Sequence, residues 1–245
     1  MTITEWNILF EVFLDKIDSE ALPEFTDEEK DVLYNEAIER FVKNRYSPKT
    51  IQVGKQSYVT DKGFEQSQKR IDDLRTLVQT VYPTITGYPY AENAYRADLT
   101  DLYVDEALTT PSTSEYYFFT RINPLVSNDV CSKYINKTKL VEHDDLNYVL
   151  DDPFNKPTGM YPVMYFEDSD IILLVGDNYT VDACRVTCIK KPIQVNSGTY
   201  GSPLVECDLP EHTHREIIQL AVQIGLEGIE SPRQQTNVQN IQSME

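Results

Sequence analysis

The stretch CDLPEHTHREIIQLAVQI, residues 207–224, sets a thiol and two imidazoles within eight residues: Cys207, His212 and His214. Side chains of these types serve as metal ligands or as partners of a nucleophile. A closed zinc site, however, takes four ligands, commonly as two tightly spaced pairs, and these three have no fourth in the sequence. Cys184 and Cys188 stand at C-x3-C spacing in an alternating segment, where both face one side but lie too far along a strand to chelate together. Their expected role is that of small core residues. The adjacent acids Asp72/Asp73, Asp144/Asp145 and Asp151/Asp152 have the chemistry to hold a divalent ion or to exchange protons. A chain with 40 acidic residues produces such pairs by chance, and solvated turns account for them, as for His143 beside Asp144. No G-x-S-x-G occurs, and NSGTYGSP lacks the strand–serine–helix order of a nucleophile elbow. Nine glycines supply no phosphate loop of standard spacing. The expectation is no catalytic residue, no cofactor and no metal site. Cys207 to His214 reads as a junction, where a strand ends, Pro210 opens a helix, and His212 and His214 are exposed in its first turn.

The elements that must carry this junction fall into three regimes. Residues 1 to about 82 read as helical. TEWNILFEVFLDKI places Trp6, Leu9, Phe10, Phe13, Leu14 and Ile17 on one stripe. FTDEEKDVLYNEAIERFVKNRYSP begins with Thr26 as N-cap and faces Val32, Leu33, Ala37, Ile38 and Phe41 inward, with Lys43 and Arg45 near the carboxyl end. A third helix is predicted from Phe64 to Val81, burying Ile71, Leu74, Leu77, Val78 and Val81. Residues 83–208 read as β-rich, with strands in EYYFFTRINPLVS, MYPVMYFEDSDIILLVGD and VDACRVTCIKKPIQV. Within them, SDIILLVGD suits a strand buried on both faces, and HDDLNYVLDDPFNKP a short helix or turn. From Leu209 to about 231 a final helix carries Asp208 as N-cap, Pro210 at its first position and Ile217, Ala221, Ile224, Gly225, Gly228 and Ile229 along one side. Residues 232–245, rich in Gln and Asn, form an extended tail with Val238 and Ile241 as its apolar anchors. The fold class is therefore α+β: an N-terminal helical bundle, 1–82, rejoined by the returning helix 209–231, with the β-rich insertion 83–208 between.

Bulk numbers narrow the function. The chain has 22 Lys and Arg against 40 Asp and Glu, a net charge of −18, which disfavours gripping nucleic acid by its phosphates. An acidic surface still suits a passage through which DNA slides without sticking. The start carries acids instead of a basic leader, and no run of about 18 apolar residues occurs, so neither secretion nor a membrane span is expected. Synthesis in a reducing cytoplasm leaves the four cysteines as free thiols. Tyrosine-rich segments such as TVYPTITGYPYAENAY offer contact area of the kind interfaces use.

The N-terminal pattern TEWNILFEVFLDKI…FTDEEKDVLYNEAIERF resembles the helical head–tail connector, or adaptor, proteins of tailed bacteriophages. DDPFNKPTGMYPVMYFEDSDIILLVG, then CIKKPIQV, then CDLPEHTHREIIQLAV, is similar in order to virion structural proteins of crAss-like podoviruses. Residues 83–142 lie outside this likeness. The resemblance implies a structural ring protein of the phage neck or tail, a dodecamer joining the portal to the tail and lining or surrounding the DNA channel. The implied partners are further copies of itself, the portal protein and other ring or fibre proteins; genome DNA passes without specific binding and no membrane is involved. Known connector subunits are mainly helical, so the large β share marks an elaborated adaptor. The candidate interface residues are Ile217, Ala221, Ile224, Gly225, Gly228, Val238 and Ile241. Two other readings stay open: a metal-dependent soluble enzyme using the paired carboxylates, and a monomeric tail-fibre adaptor or binding module.

Overall fold

A computed structural model describes residues 1–17, 25–46, 50–53, 56–59, 64–128, 131–135, 138–198 and 203–228; for 15–17, 50–53, 56–59, 64–67 and 228 it describes the backbone alone. The chain is mixed α+β, with five α-helices and one large curled sheet among the described residues. It divides into two compact units, Met1–Leu77 with Pro192–Glu245, and Val78–Lys191.

The first unit holds α1 (Ile3–Ile17), α2 (Asp27–Tyr46), the short hairpin β1 (Thr50–Val53) and β2 (Gln56–Val59), α3 (Phe64–Leu74) and, from the far end of the chain, α5 (Glu211–Gly228). Both leading helices start with a reciprocal capping box. The Thr26 amide donates to Glu29 Oε2 at 2.8 Å while the Glu29 amide donates to Thr26 Oγ1 at 3.3 Å, and Thr2 with Glu5 repeats the arrangement at 2.9 and 3.4 Å. α5 packs against α1 and α2, and α2 also meets α3. An aromatic chain fills the space between them: Trp6 sits edge-on to Tyr34 at 5.2 Å, and Phe10 lies 5.7 Å from Tyr34 and 5.6 Å from Phe25. Of the α1 stripe, Trp6, Phe10, Phe13 and Leu14 are buried.

Two expectations about these helices need correction. Val32 is 68 % exposed, because the buried face of α2 runs through Lys30, Asp31, Tyr34, Ala37, Ile38, Phe41 and Val42. Three polar or amphipathic residues on that face hid its phase. The third helix stops at Leu74 and does not reach Val81; Ile71, placed on its inner stripe, is 70 % exposed. From Val78 the chain is strand, since Val78, Thr80 and Val81 are β-branched and β10 offers their backbone a full ladder.

The second unit is the sheet. Its strands are β3 (Val78–Gly87), β4 (Ala94–Tyr103), β5 (Tyr116–Ser127), β6 (Ser132–Tyr134), β7 (Lys139–Leu140), β8 (Val163–Glu167), β9 (Asp170–Leu174) and β10 (Thr180–Lys190), in the order β6-β5-β10-β3-β4-β9-β8-β7. Every pairing is antiparallel except β7 with β8. Eight flat strands would hold β6 and β7 about 34 Å apart. Yet only residues 135–138 join those two strands, a reach of about 18 Å at most. The sheet must therefore curl, and cross-sheet contacts record it. Thr138 Oγ1, just before β7, donates to the Ile122 carbonyl of β5 at 2.9 Å, and the rings of Phe119 in β5 and Phe166 in β8 lie 6.2 Å apart.

Inside the curl pack Val81, Ala97, Ile122, Ile171, Leu173 and Val186 with Cys184 and Cys188. A second layer, Ala94, Val141, Val163, Tyr165, Ile172 and Leu174, is covered by Leu146 and Val149 from α4 (Leu146–Asp151). All five residues of β9, Asp-Ile-Ile-Leu-Leu, are buried, as its unbroken apolar run predicts for a strand covered on both faces.

Candidate functional site

Around residues 207–214 the structure resolves the opening question into packing. The segment before α5 is not a strand; its one β-type contact among the described residues is a bridge between Asn196 and Val205. Two α2 side chains one turn apart hold that extended segment. Asn35 donates from Nδ2 to the Val195 carbonyl at 3.0 Å and accepts from the Val195 amide at 2.8 Å, while Asp31 Oδ2 accepts from the Ser197 amide and hydroxyl at 2.9 and 2.8 Å.

His214 is buried, contrary to the expectation that it is exposed. Its Nε2 donates to the Leu209 carbonyl at 2.9 Å, and its Nδ1 accepts from Trp6 Nε1 at 3.4 Å, with the two rings 5.1 Å apart. Both ring nitrogens are thus satisfied by the neutral imidazole. Burial pushes its pKa below the ordinary histidine range, partly opposed by the Leu209 carbonyl.

His212 is half exposed and donates from Nε2 to Asp73 Oδ1 at 2.9 Å. That contact belongs to a polar knot. Asp73, only 1 % exposed, also accepts from Arg45 Nε at 2.9 Å; Arg45 Nη2 reaches Glu216, and Lys69 lies 4.0 Å from the same carboxylate. The knot joins α2, α3 and α5. Solvated turns therefore do not describe the Asp72/Asp73 pair: Asp73 is a buried ion-pair partner, and Arg45, assigned from sequence to the helix dipole alone, is its anchor. Arg45 also lies 4.7 Å above the Phe41 ring.

The thiols are quiet. Cys184 and Cys188 are buried in the sheet, and burial pushes both, and Cys207, up to about 12. Cys131 is exposed. Among the described residues no group of three or more His, Cys, Asp or Glu is arranged to hold a metal ion. No helix among them is long and apolar enough to cross a membrane.

The α5 stripe faces the chain's own core. Ile217 and Ala221 are fully buried, and Gly225 is buried where an added Cβ would come within 3.2 Å of Leu33 Cδ1 and Phe25 Cζ. Ile224 is half-buried, and Gly228 closes the helix. Val238, Ile241 and the rest of the tail lie outside the described residues. The tyrosine-rich segment is part of β3, β4 and the hairpin between them. Tyr88 donates to Glu167 Oε2 at 2.8 Å, whereas Tyr90 stands 85 % exposed.

The clamp, the neutral histidine, the ion-pair knot and the buried thiols have a structural character: they hold these elements together. The comparisons with known proteins agree with that character. A family model described as "Phage tail ring protein 3/4" matches residues 1–240. The chain is also similar to "Ring protein 4/5" of Bacteroides phage crAss001, at 27% identity over 241 residues covering 92% of each protein. On a match that spans nearly the whole of both units, this chain belongs to the phage tail ring protein 3/4 family and is a ring protein of a crAss-like phage.

Proposed function

We propose that this chain is a structural subunit, without turnover, of a dodecameric ring that joins the portal to the tail and surrounds the DNA channel. The match of the ring-protein family to residues 1–240 carries this reading. The net charge of −18 supports it, because a passage with a uniformly acidic wall repels phosphates and lets the duplex slide. In this assignment the helical unit, with α1, α2 and α3 arranged as a bundle around α5, is the connector core. The sheet is an insertion that reaches other ring or fibre proteins. The tail, 232–245, grips the portal or a neighbouring subunit through Val238 and Ile241.

Of the residues marked for subunit contact, Ile224, Gly228 and the tail pair are proposed to touch neighbours. Ile217, Ala221 and Gly225 act from beneath, by fixing α5 on α2. Quantitative mass spectrometry of purified particles tests the reading. Twelve copies per particle, in fixed ratio to the portal, support it, and absence from particles contradicts it.

A further inference from the structure

We propose that a hollow beside β7 and β8 is the socket through which one copy of this chain holds the acidic surface of the next. The inference rests on the ring reading and adds to it a place and a partner. The hollow, about 400 Å³, is lined by Thr138, Lys139, Phe154, Lys156, Tyr161 and Val163, among others. Phe154 is 95 % exposed and Tyr161 60 %. The same segment also exposes Leu140, Tyr148, Leu150 and Met160, a density of uncovered apolar side chains that marks interaction surfaces.

The loop that forms the hollow is built. Asp152 Oδ1 accepts from the Phe154 amide at 2.9 Å and its carbonyl accepts from the Lys156 amide at 2.9 Å, while Thr158 and Tyr161 exchange backbone bonds at 3.2 and 3.1 Å. Gly159 lies flat on Tyr179, where a Cβ would land 2.5 Å from the ring, and a Cβ on Gly176 would land 2.9 Å from Thr158 Cα. Phe154 and Tyr161 are presented on a braced loop, so little ordering remains to oppose docking.

Charge selects the occupant. Neither Lys139 nor Lys156 has a carboxylate within ion-pairing distance among the described residues; Lys139 Nζ lies 3.5 Å from Asn155 Oδ1, and its charge helps to hold the Asp152 carboxyl below the usual range. Two lysines beside two aromatic rings, on a subunit of net charge −18, complement an acidic surface on another copy. Nucleic acid is disfavoured by the same total. A socket that takes an acidic surface is not complementary to itself, so the contact is head-to-tail, the kind that propagates around a ring.

The test places p-benzoylphenylalanine at position 154 of the full chain and irradiates the purified protein over a range of concentrations. The expected result is a ladder of crosslinked copies whose adducts map to an acidic segment of the second copy. The ladder should weaken about tenfold in a Lys139→Glu/Lys156→Glu background and in high salt, while circular dichroism stays unchanged. No inter-copy adduct at any concentration overturns the proposal, and so does a ladder indifferent to the charge reversal. In infected cells, exclusive labelling of a different protein overturns it as well. The ring reading fails separately: chains absent from particles refute the ring even if the ladder forms, and chains present in rings without the ladder refute only the socket.

Discussion

His214 shows how one side chain acquires a structural job from its surroundings. Held between the Trp6 indole and the Leu209 carbonyl, it is neutral in the native state, and burial depresses its pKa. The unfolded chain titrates near the ordinary value of 6.5, so below that pH the unfolded state binds more protons. The contribution of His214 to stability is complete above about pH 6.5 and is lost as the pH falls from there to the depressed native value. His214→Gln keeps a donor and an acceptor but does not titrate. The urea midpoint of the native protein should therefore drop more than that of the variant between about pH 7.5 and about pH 5.5. Equal drops would show that this imidazole is not the titrating group. The thiols give a second residue-scale prediction. Burial pushes Cys184, Cys188 and Cys207 up to about 12, while Cys131 is exposed. A chromogenic disulfide at about pH 8 should label one thiol quickly in the native protein and four after denaturation. Two or more fast thiols in the native state would contradict the packing described.

Elements are where sequence reading succeeded and failed for identifiable reasons. Strong signals sufficed for α1, whose large apolar residues recur at helical spacing, for the Thr26 cap, and for β9, whose five apolar or buried residues leave no polar face. Mixed signals misled. α2 buries Lys30, Asp31 and Tyr34, which bond Glu11, Ser197 (through Asp31 Oδ2) and Asn7, and no periodicity of apolar residues reports such partners. The end of α3 was invisible because Leu74, Leu77, Val78 and Val81 keep helical spacing, while the decisive influence, pairing with β10, lies more than a hundred residues away. The knot was illegible for the same reason: Arg45, Asp73, His212 and Glu216 come together only when three helices meet. Asp73→Ala should strip Arg45 of a buried partner and lower stability by about 3 kcal/mol, read as a fall in the denaturation midpoint. A change below about 0.5 kcal/mol would mean that packing, not the knot, ties these helices.

At the scale of the whole chain, the two units divide the labour. In one, capping boxes open α1 and α2 and the ion-pair knot ties α2, α3 and α5 together; in the other, the sheet curls until its two edge strands are joined by four residues. The proposed role of the tail in assembly predicts that deleting 232–245 leaves a protein with an unchanged circular dichroism spectrum that no longer enters particles. Undiminished incorporation would remove the tail from the interface. Cryo-electron microscopy of intact particles tests the central claim most directly. The account predicts twelve copies of this chain encircling the DNA path between portal and tail. A particle in which no ring between portal and tail contains this chain would contradict it.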